Sequence, residues 1–245
     1  MKVEYYKFRS QALNCDMELK IYGQAGKPIL VFPSACGRFY EYEDFGMIEA
    51  ARAFIDEGKA WFFAIDSIDC EAWLAKWMNP GDRGLRHLQY ERYVMEEVVP
   101  FIQAQTGVDC GYLTTGCSMG AYHAANFYFK HPGVFGGVIA MSGLFGPRYF
   151  VGDYMDENVY FNFPLCYLPN LSDPYYIDRY REGDIIICTG TGAWEEESIR
   201  ETKALEENLR ALDVPVWFDY WGGDVNHDWP WWRKQLPYFL EKLDL

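Results

Sequence analysis

Short apolar runs alternate with longer amphipathic ones along the 245 residues. That rhythm predicts an α/β fold: a doubly wound, mostly parallel central sheet with helices on both faces. Two further observations refine the expectation. The stretch Gly116-Cys117-Ser118-Met119-Gly120 has the pattern G-x-S-x-G and stands where a predicted strand meets a predicted helix. Segment 144–183 breaks the rhythm with a run rich in Tyr, Phe and Pro.

The elements follow in order. "KPILVFPS" (27–34) is a continuous apolar run bounded by turn residues, as a strand buried on both faces requires. A helix is expected over 41–58, ending at Gly58, then a strand over 60–68. Residues 84–107 read as one long amphipathic helix. "CGYLTTG" (110–116) is the next strand and 121–130 the helix after it. "GVIAMSG" (137–143) and "DIIICTG" (184–190) are further strands. Residues 198–213 read as a helix in which Ser198 and Glu201 have capping-box spacing. A last strand is expected over 214–223, and a closing helix from Pro230, with proline in its first turn. The chain has no repeat or linker, so residues 1–245 are expected to form one domain with an insertion at about 144–183. An irregular stretch of about forty residues inside a compact domain is usually a lid or a binding insertion, the alternative being a small packed subdomain.

Bulk properties narrow the function classes. Lys and Arg number 22 against 36 Asp and Glu, a net charge of −14. Such a chain repels phosphate, so neither nucleic acid nor an anionic membrane is expected as a partner. The N-terminus "MKVEYYKFRSQ" has charges where a signal peptide would need an apolar core, which points to the cytoplasm. The seven cysteines show no CxxC pair or metal-ligand spacing, and reduced, buried thiols are expected.

Ser118 in the G-x-S-x-G pattern fits a nucleophile elbow, in which a tight strand-to-helix turn exposes the serine and the helix N-terminus faces the site. The plainer alternative is a serine capping an ordinary helix. Together, "GCSMGAYHAANFYFKHPGVFGGVIAMSG" and "VNHDWPWWRKQLPYFL" resemble the α/β-hydrolase family. The likeness is greatest to the esterase branch that includes esterase D (S-formylglutathione hydrolase), feruloyl esterase domains and the mycolyltransferases. The order of the two motifs extends the resemblance over nearly the whole chain.

The resemblance implies a serine carboxylesterase acting on a small-molecule ester without metal or organic cofactor. His227, in a segment like the branch's "GGHDW", would be the base. His87, His123 and His131 read as packed or helix-end residues. The acid is expected in "TGTGAWEEE" (189–197), but Ala193 falls where many relatives carry aspartate. The mycolyltransferase pattern shifts the acid to Glu195, with Glu196 and Asp224 as alternatives. The oxyanion donors would be the amides of Met119 and Ala35, or of Cys36 in place of Ala35. Trp194, Trp229 and Phe161 are expected to wall the substrate pocket. An acyltransferase on the same site, or a non-catalytic binding module on a hydrolase scaffold, are the alternative functions. The sequence leaves a homo-oligomer open.

Overall fold

A computed structural model describes residues 1–245. Eight strands form one sheet: β1 Val3–Arg9, β2 Asp16–Tyr22, β3 Lys27–Phe32, β4 Ala60–Ile65, β5 Tyr112–Cys117, β6 Phe135–Met141, β7 Asp184–Thr189 and β8 Trp217–Tyr220. Their order is β1-β2-β4-β3-β5-β6-β7-β8. The β1–β2 and β2–β4 pairs are antiparallel, and every pair from β4 to β8 is parallel. The expected α/β fold is present. The sequence reading missed β1 and β2. In β2, Met17 and Leu19 are buried between more exposed residues, the alternation of a strand with one covered face, and Ile21 and Tyr22 are both buried at its end.

The central strands show why their sequences are apolar without a break. Leu30 and Phe32 join one hydrophobic cluster, while Ile29 and Val31 join another. Ile185 and Ile187 divide from Ile186 and Cys188 in the same way. Period two sends successive side chains to opposite faces, and helices cover both.

On one face lie α4 Pro80–Tyr93, α5 Val99–Thr106, α6 Met119–Lys130 and α11 Glu196–Ala211. On the other lie α2 Met47–Ala50, α3 Arg52–Asp56 and α12 Trp229–Lys242. α12 buries Trp232, Leu236, Phe239 and Leu240 against that face. At roughly 1.5–3 kcal/mol per buried large apolar side chain, this seam holds down the C-terminal end firmly.

Several boundaries differ from expectation for local reasons. The helix expected over 41–58 is three short ones, α1 Glu41–Asp44, α2 and α3, because Gly46 turns left-handed (φ 75°) between the first two. The long helix begins at Pro80, where Asn79 accepts the Asp82 amide, and a π turn at Val94–Val98 separates α4 from α5. The Ser198–Glu201 capping box does not form, since α11 starts earlier, at Glu196. Ser198 is already inside the helix, with its Oγ 3.1 Å from Thr189 Oγ1. Glu201 instead accepts the amides of Phe145 and Gly146 (2.6 and 2.8 Å), which anchors the start of the insertion.

The insertion is built of short helices, α7 Arg148–Val151, α8 Glu157–Tyr160, α9 Pro164–Tyr167 and α10 Pro174–Glu182. Phe150, Val159 and Phe163 pack in a small cluster with Trp73 and Tyr122. The Tyr122 hydroxyl donates to the Asn162 carbonyl at 2.9 Å.

Chain order reverses around β3: β4 lies on one side and β5 on the other. In parallel sheets this switch point opens a crevice beyond the strands' carboxyl ends. The loop after β3 and the turn after β5 both reach it.

The cysteine expectation needs correction. Cys36 and Cys70 form a disulfide, with Cα atoms 5.7 Å apart, and five cysteines are free. The two are 34 positions apart, so no local spacing announces them. They meet because the loops after β3 and β4, parallel neighbours, emerge at the same end of the sheet. No helix is long and apolar enough to cross a membrane.

Candidate active site

The turn from β5 into α6 presents Ser118 with φ 56° and ψ −118°, a backbone conformation that non-glycine residues seldom adopt. Close packing holds it there. A Cβ on Gly116 would stand 2.3 Å from the Gly120 backbone, and one on Gly120 would stand 2.3 Å from the Phe32 carbonyl oxygen. Only glycine at both positions lets α6 approach β3 and β5 so closely. The Met119 amide opens α6 at its positive dipole end, while the Ala121 and Tyr122 amides donate to the Ser118 carbonyl (3.0 and 3.3 Å). The neighbouring Cys117 thiol is fully buried, and burial pushes its pKa far above the ordinary thiol value. That holds it as an unreactive thiol.

His227 reaches Ser118 from the loop between β8 and α12. Its Nε2 lies 2.9 Å from Ser118 Oγ. Its Nδ1 lies 3.2 Å from Glu195 Oε2. The ring also rests edge-on against Trp232, with centroids 5.0 Å apart.

The histidine and acid loops are stitched together through the backbone. The His227 amide donates to the Ala193 carbonyl (3.0 Å), the Ala193 amide to Asn226 Oδ1 (2.8 Å) and the Gly192 amide to the Val225 carbonyl (2.9 Å). A Cβ on Gly190 would meet the Val225 carbonyl oxygen at 2.1 Å, so the loops need that glycine to approach. Ala193, at the position where a relative's aspartate would fall, contributes backbone contacts alone.

Glu195 is fully buried and occupies the cap position of α11. Trp194 before it is left-handed (φ 68°), which turns Glu195 inward while leaving the indole 82% exposed. The carboxylate accepts from Ser142 Oγ (2.6 Å), Thr189 Oγ1 (3.1 Å) and the Gly190 amide (3.4 Å), besides facing His227. Ser142, also left-handed (φ 59°), receives the Trp232 indole N–H at 3.0 Å. The sequence reading did not select Ser142. Its place at the end of a central strand, "AMSG", was the available signal.

The alternative acids stand elsewhere. Glu196 is exposed on the first turn of α11. Asp224 is exposed and makes no hydrogen bond or ion pair with His227. The other histidines are engaged. His123 is buried with Nε2 2.8 Å from Asp69, His131 pairs with Glu91 at 2.8 Å, and His87 is buried beside Trp73.

A cleft of about 340 Å³ opens over Ser118 and His227. Ala35 and Met119 line it, with Leu74, Leu144, Tyr149, Phe150 and Trp194 as apolar walls. Ala35 and Met119 therefore lie where the oxyanion donors were expected. Of the expected pocket walls, Trp194 lines this cleft. Trp229 instead stacks on Phe45, centroids 4.4 Å apart, outside the lining. Phe161 faces a separate, larger cavity of about 530 Å³ between the insertion and the far end of α6. Twelve helical residues carry α6 from the serine to that end, so the larger cavity is remote from Ser118. Sequence distance hid this: the insertion starts beside the serine but returns along the side of the sheet to the start of β7.

The "Putative esterase" family model matches residues 10–243. The chain belongs to this esterase family. As a member, it is a carboxylic ester hydrolase, as the motifs around Ser118 and His227 led one to expect. Solved structures similar to this esterase include a ferulic acid esterase, 17% identical, covering 99% of this chain and 97% of that one with a TM-score of 0.77. An S-formylglutathione hydrolase from Agrobacterium tumefaciens is 15% identical over 98% and 95% of the two chains, with a TM-score of 0.74. MPT51 of Mycobacterium tuberculosis is 15% identical over 99% and 98%, with a TM-score of 0.69. At these identities the likeness establishes the α/β-hydrolase fold. Among proteins with curated descriptions, none matches this esterase.

Proposed function

We propose that this esterase works through an acyl-enzyme on Ser118, with His227 as general base and acid and Glu195 as the group that orients His227. One observation carries the reading: an unbroken hydrogen-bond chain runs from Ser118 Oγ through both ring nitrogens of His227 to a buried carboxylate. Ser118 Oγ attacks the ester carbonyl carbon as its proton passes to Nε2. The carbonyl oxygen becomes an oxyanion held by the Met119 and Ala35 amides. The C–O bond to the leaving alkoxide breaks, and that oxygen takes the proton from Nε2. Water, deprotonated by the same nitrogen, then attacks the acyl carbon, and the acid departs as Ser118 regains its proton. Glu195 accepts the hydrogen bond of Nδ1–H, so that Nε2 is free to accept the Ser118 proton. Removing one oxyanion donor costs enzymes of this kind about 2.7–4 kcal/mol.

The substrate is a small-molecule ester, and the apolar cleft with Trp194 at its rim suits an acyl or aromatic group. We read the whole chain, 1–245, as one domain in which the insertion supplies Phe150 and Tyr149 to the cleft. For location we propose the cytoplasm. The five free cysteines suit reducing surroundings, whereas the Cys36–Cys70 bond suits oxidising ones. Fractionation of its own cells decides this: recovery with cytoplasmic marker enzymes fits the proposal, and recovery outside the plasma membrane sinks it.

The test of the mechanism is labelling with a fluorophosphonate, followed by peptide mapping. We expect the label on Ser118 in the native protein, none in Ser118→Ala, and far slower labelling in His227→Ala. A folded native protein that hydrolyses no ester and takes no label would remove the acyl-enzyme reading.

A further inference from the structure

The loop after β3 contains a buried carboxylate for which the mechanism above has no use. Glu41, the first residue of α1, is only 8% exposed. Its Oε2 accepts the Ser34 amide at 2.7 Å and its Oε1 accepts the Ser34 hydroxyl at 2.6 Å. No Lys, Arg or His pairs with it, and a second buried carboxylate, Asp69, raises its pKa further. Burial is the larger cause of that rise, and the two Ser34 bonds oppose it. A buried anion without a cation is expensive, so a residue serving only to fill space would not be a glutamate.

What the carboxylate grips is the turn that carries Ala35. The Gly37 amide donates to the Ser34 carbonyl at 2.8 Å and closes a turn across residues 34–37. Inside it Cys36 is left-handed (φ 56°), a conformation that costs a non-glycine residue free energy and needs support. The Ser34–Ala35 peptide is planar and trans, so the Ala35 N–H points opposite to the Ser34 carbonyl. That carbonyl is committed to the Gly37 amide inside the turn, and Ala35 itself lines the cleft beside Ser118 and Met119. The direction of the Ala35 N–H is therefore set by how Ser34 is held. Gly37 wraps the same carboxylate so tightly that a Cβ there would stand 2.5 Å from Glu41 Oε1.

We infer that Glu41 is a positioning residue of the esterase: its carboxylate clamps Ser34 and thereby aims the Ala35 amide at the oxyanion. The inference rests on the acyl-enzyme reading above. Glu41 touches no reacting atom. It fixes the donor in advance, and a donor fixed in advance stabilises charge that appears only in the transition state.

The test uses Glu41→Ala, Glu41→Gln and Ser34→Ala in the full chain. Each is assayed for kcat and KM on p-nitrophenyl acetate, for inhibition by a trifluoromethyl ketone that forms a tetrahedral adduct, and for melting temperature. In Glu41→Ala we expect kcat to fall about 10- to 100-fold, with KM within about twofold. Ketone affinity should weaken in proportion to kcat. Glu41→Gln keeps an acceptor for the Ser34 amide and can donate to its hydroxyl, so it should recover most of the loss. Ser34→Ala removes one of the two bonds and should fall between; it also serves if Glu41→Ala does not fold. Unchanged kcat and ketone affinity in Glu41→Ala or, where that does not fold, in Ser34→Ala overturn the inference. So does a loss that follows melting temperature and that glutamine does not restore. Failure of the acyl-enzyme reading shows separately, as a native protein that takes no fluorophosphonate on Ser118.

Discussion

Replacing Glu195 by glutamine changes one atom and tests the whole relay. The carboxylate faces donors on both sides: Ser142 Oγ at 2.6 Å and the Gly190 amide at 3.4 Å on Oε1, Thr189 Oγ1 at 3.1 Å and His227 Nδ1 at 3.2 Å on Oε2. Glutamine has one acceptor oxygen. The shorter Ser142 bond and the Gly190 amide draw that oxygen to the Oε1 position, which leaves the NH₂ facing His227. Nδ1 must then accept, so its proton moves to Nε2, and Nε2 can no longer take the proton of Ser118. Loss of the base by tautomer reversal costs serine hydrolases on the order of 10⁴ in kcat, about 5.4 kcal/mol of barrier. We expect a fall of about 10³- to 10⁴-fold in kcat for Glu195→Gln, with near-native KM. The assay is steady-state hydrolysis of p-nitrophenyl acetate beside the rate of fluorophosphonate capture. Glu196→Gln and Asp224→Asn, exposed and out of reach of His227, should stay within about twofold. Retention of a tenth or more of native kcat by Glu195→Gln, or a larger loss in either control, would refute this assignment of the acid.

Two further predictions follow from packing and charge. Gly120→Ala places a methyl group 2.3 Å from the Phe32 carbonyl oxygen, so α6 must move off the sheet. Denaturant unfolding should show a loss of about 1–3 kcal/mol or more, with kcat falling because Ser118 moves with the helix. Burial pushes the Glu91 carboxyl up, but the hydrogen bond from His131 and the charge and hydrogen bond of Lys130 outweigh it and bring the pKa to about 2. The folded value lies below the unfolded one, so the stabilisation is present above about pH 4.5 and is lost as pH falls towards 2. A shift of this size is worth on the order of 3 kcal/mol. Acid unfolding of Glu91→Gln should show that part of the pH dependence gone; an unchanged acid limb would refute it.

The central strands were legible because they are buried on both faces, which forces apolar runs such as "ILVF" and "IIIC" and leaves little choice of element. Ser118 was legible because its turn needs glycine at 116 and 120, a steric demand written in adjacent residues. His227 was legible from the motif around it and its place after the last strand. The acid was not. Ala193 and Glu195 are two residues apart, and what selects Glu195 is the left-handed Trp194 and a ring of donors from β6, β7 and the histidine loop. Those donors come from segments up to 53 residues away. The Cys36–Cys70 bond, the Glu41 clamp and the separation of Phe161 from the cleft depend in the same way on which loops share one end of the sheet. Local sterics and periodicity act between neighbours in sequence, so the sequence determines the central strands and the elbow. Hydrogen bonds and burial act between neighbours in space, so only the tertiary structure decides which carboxylate meets the histidine.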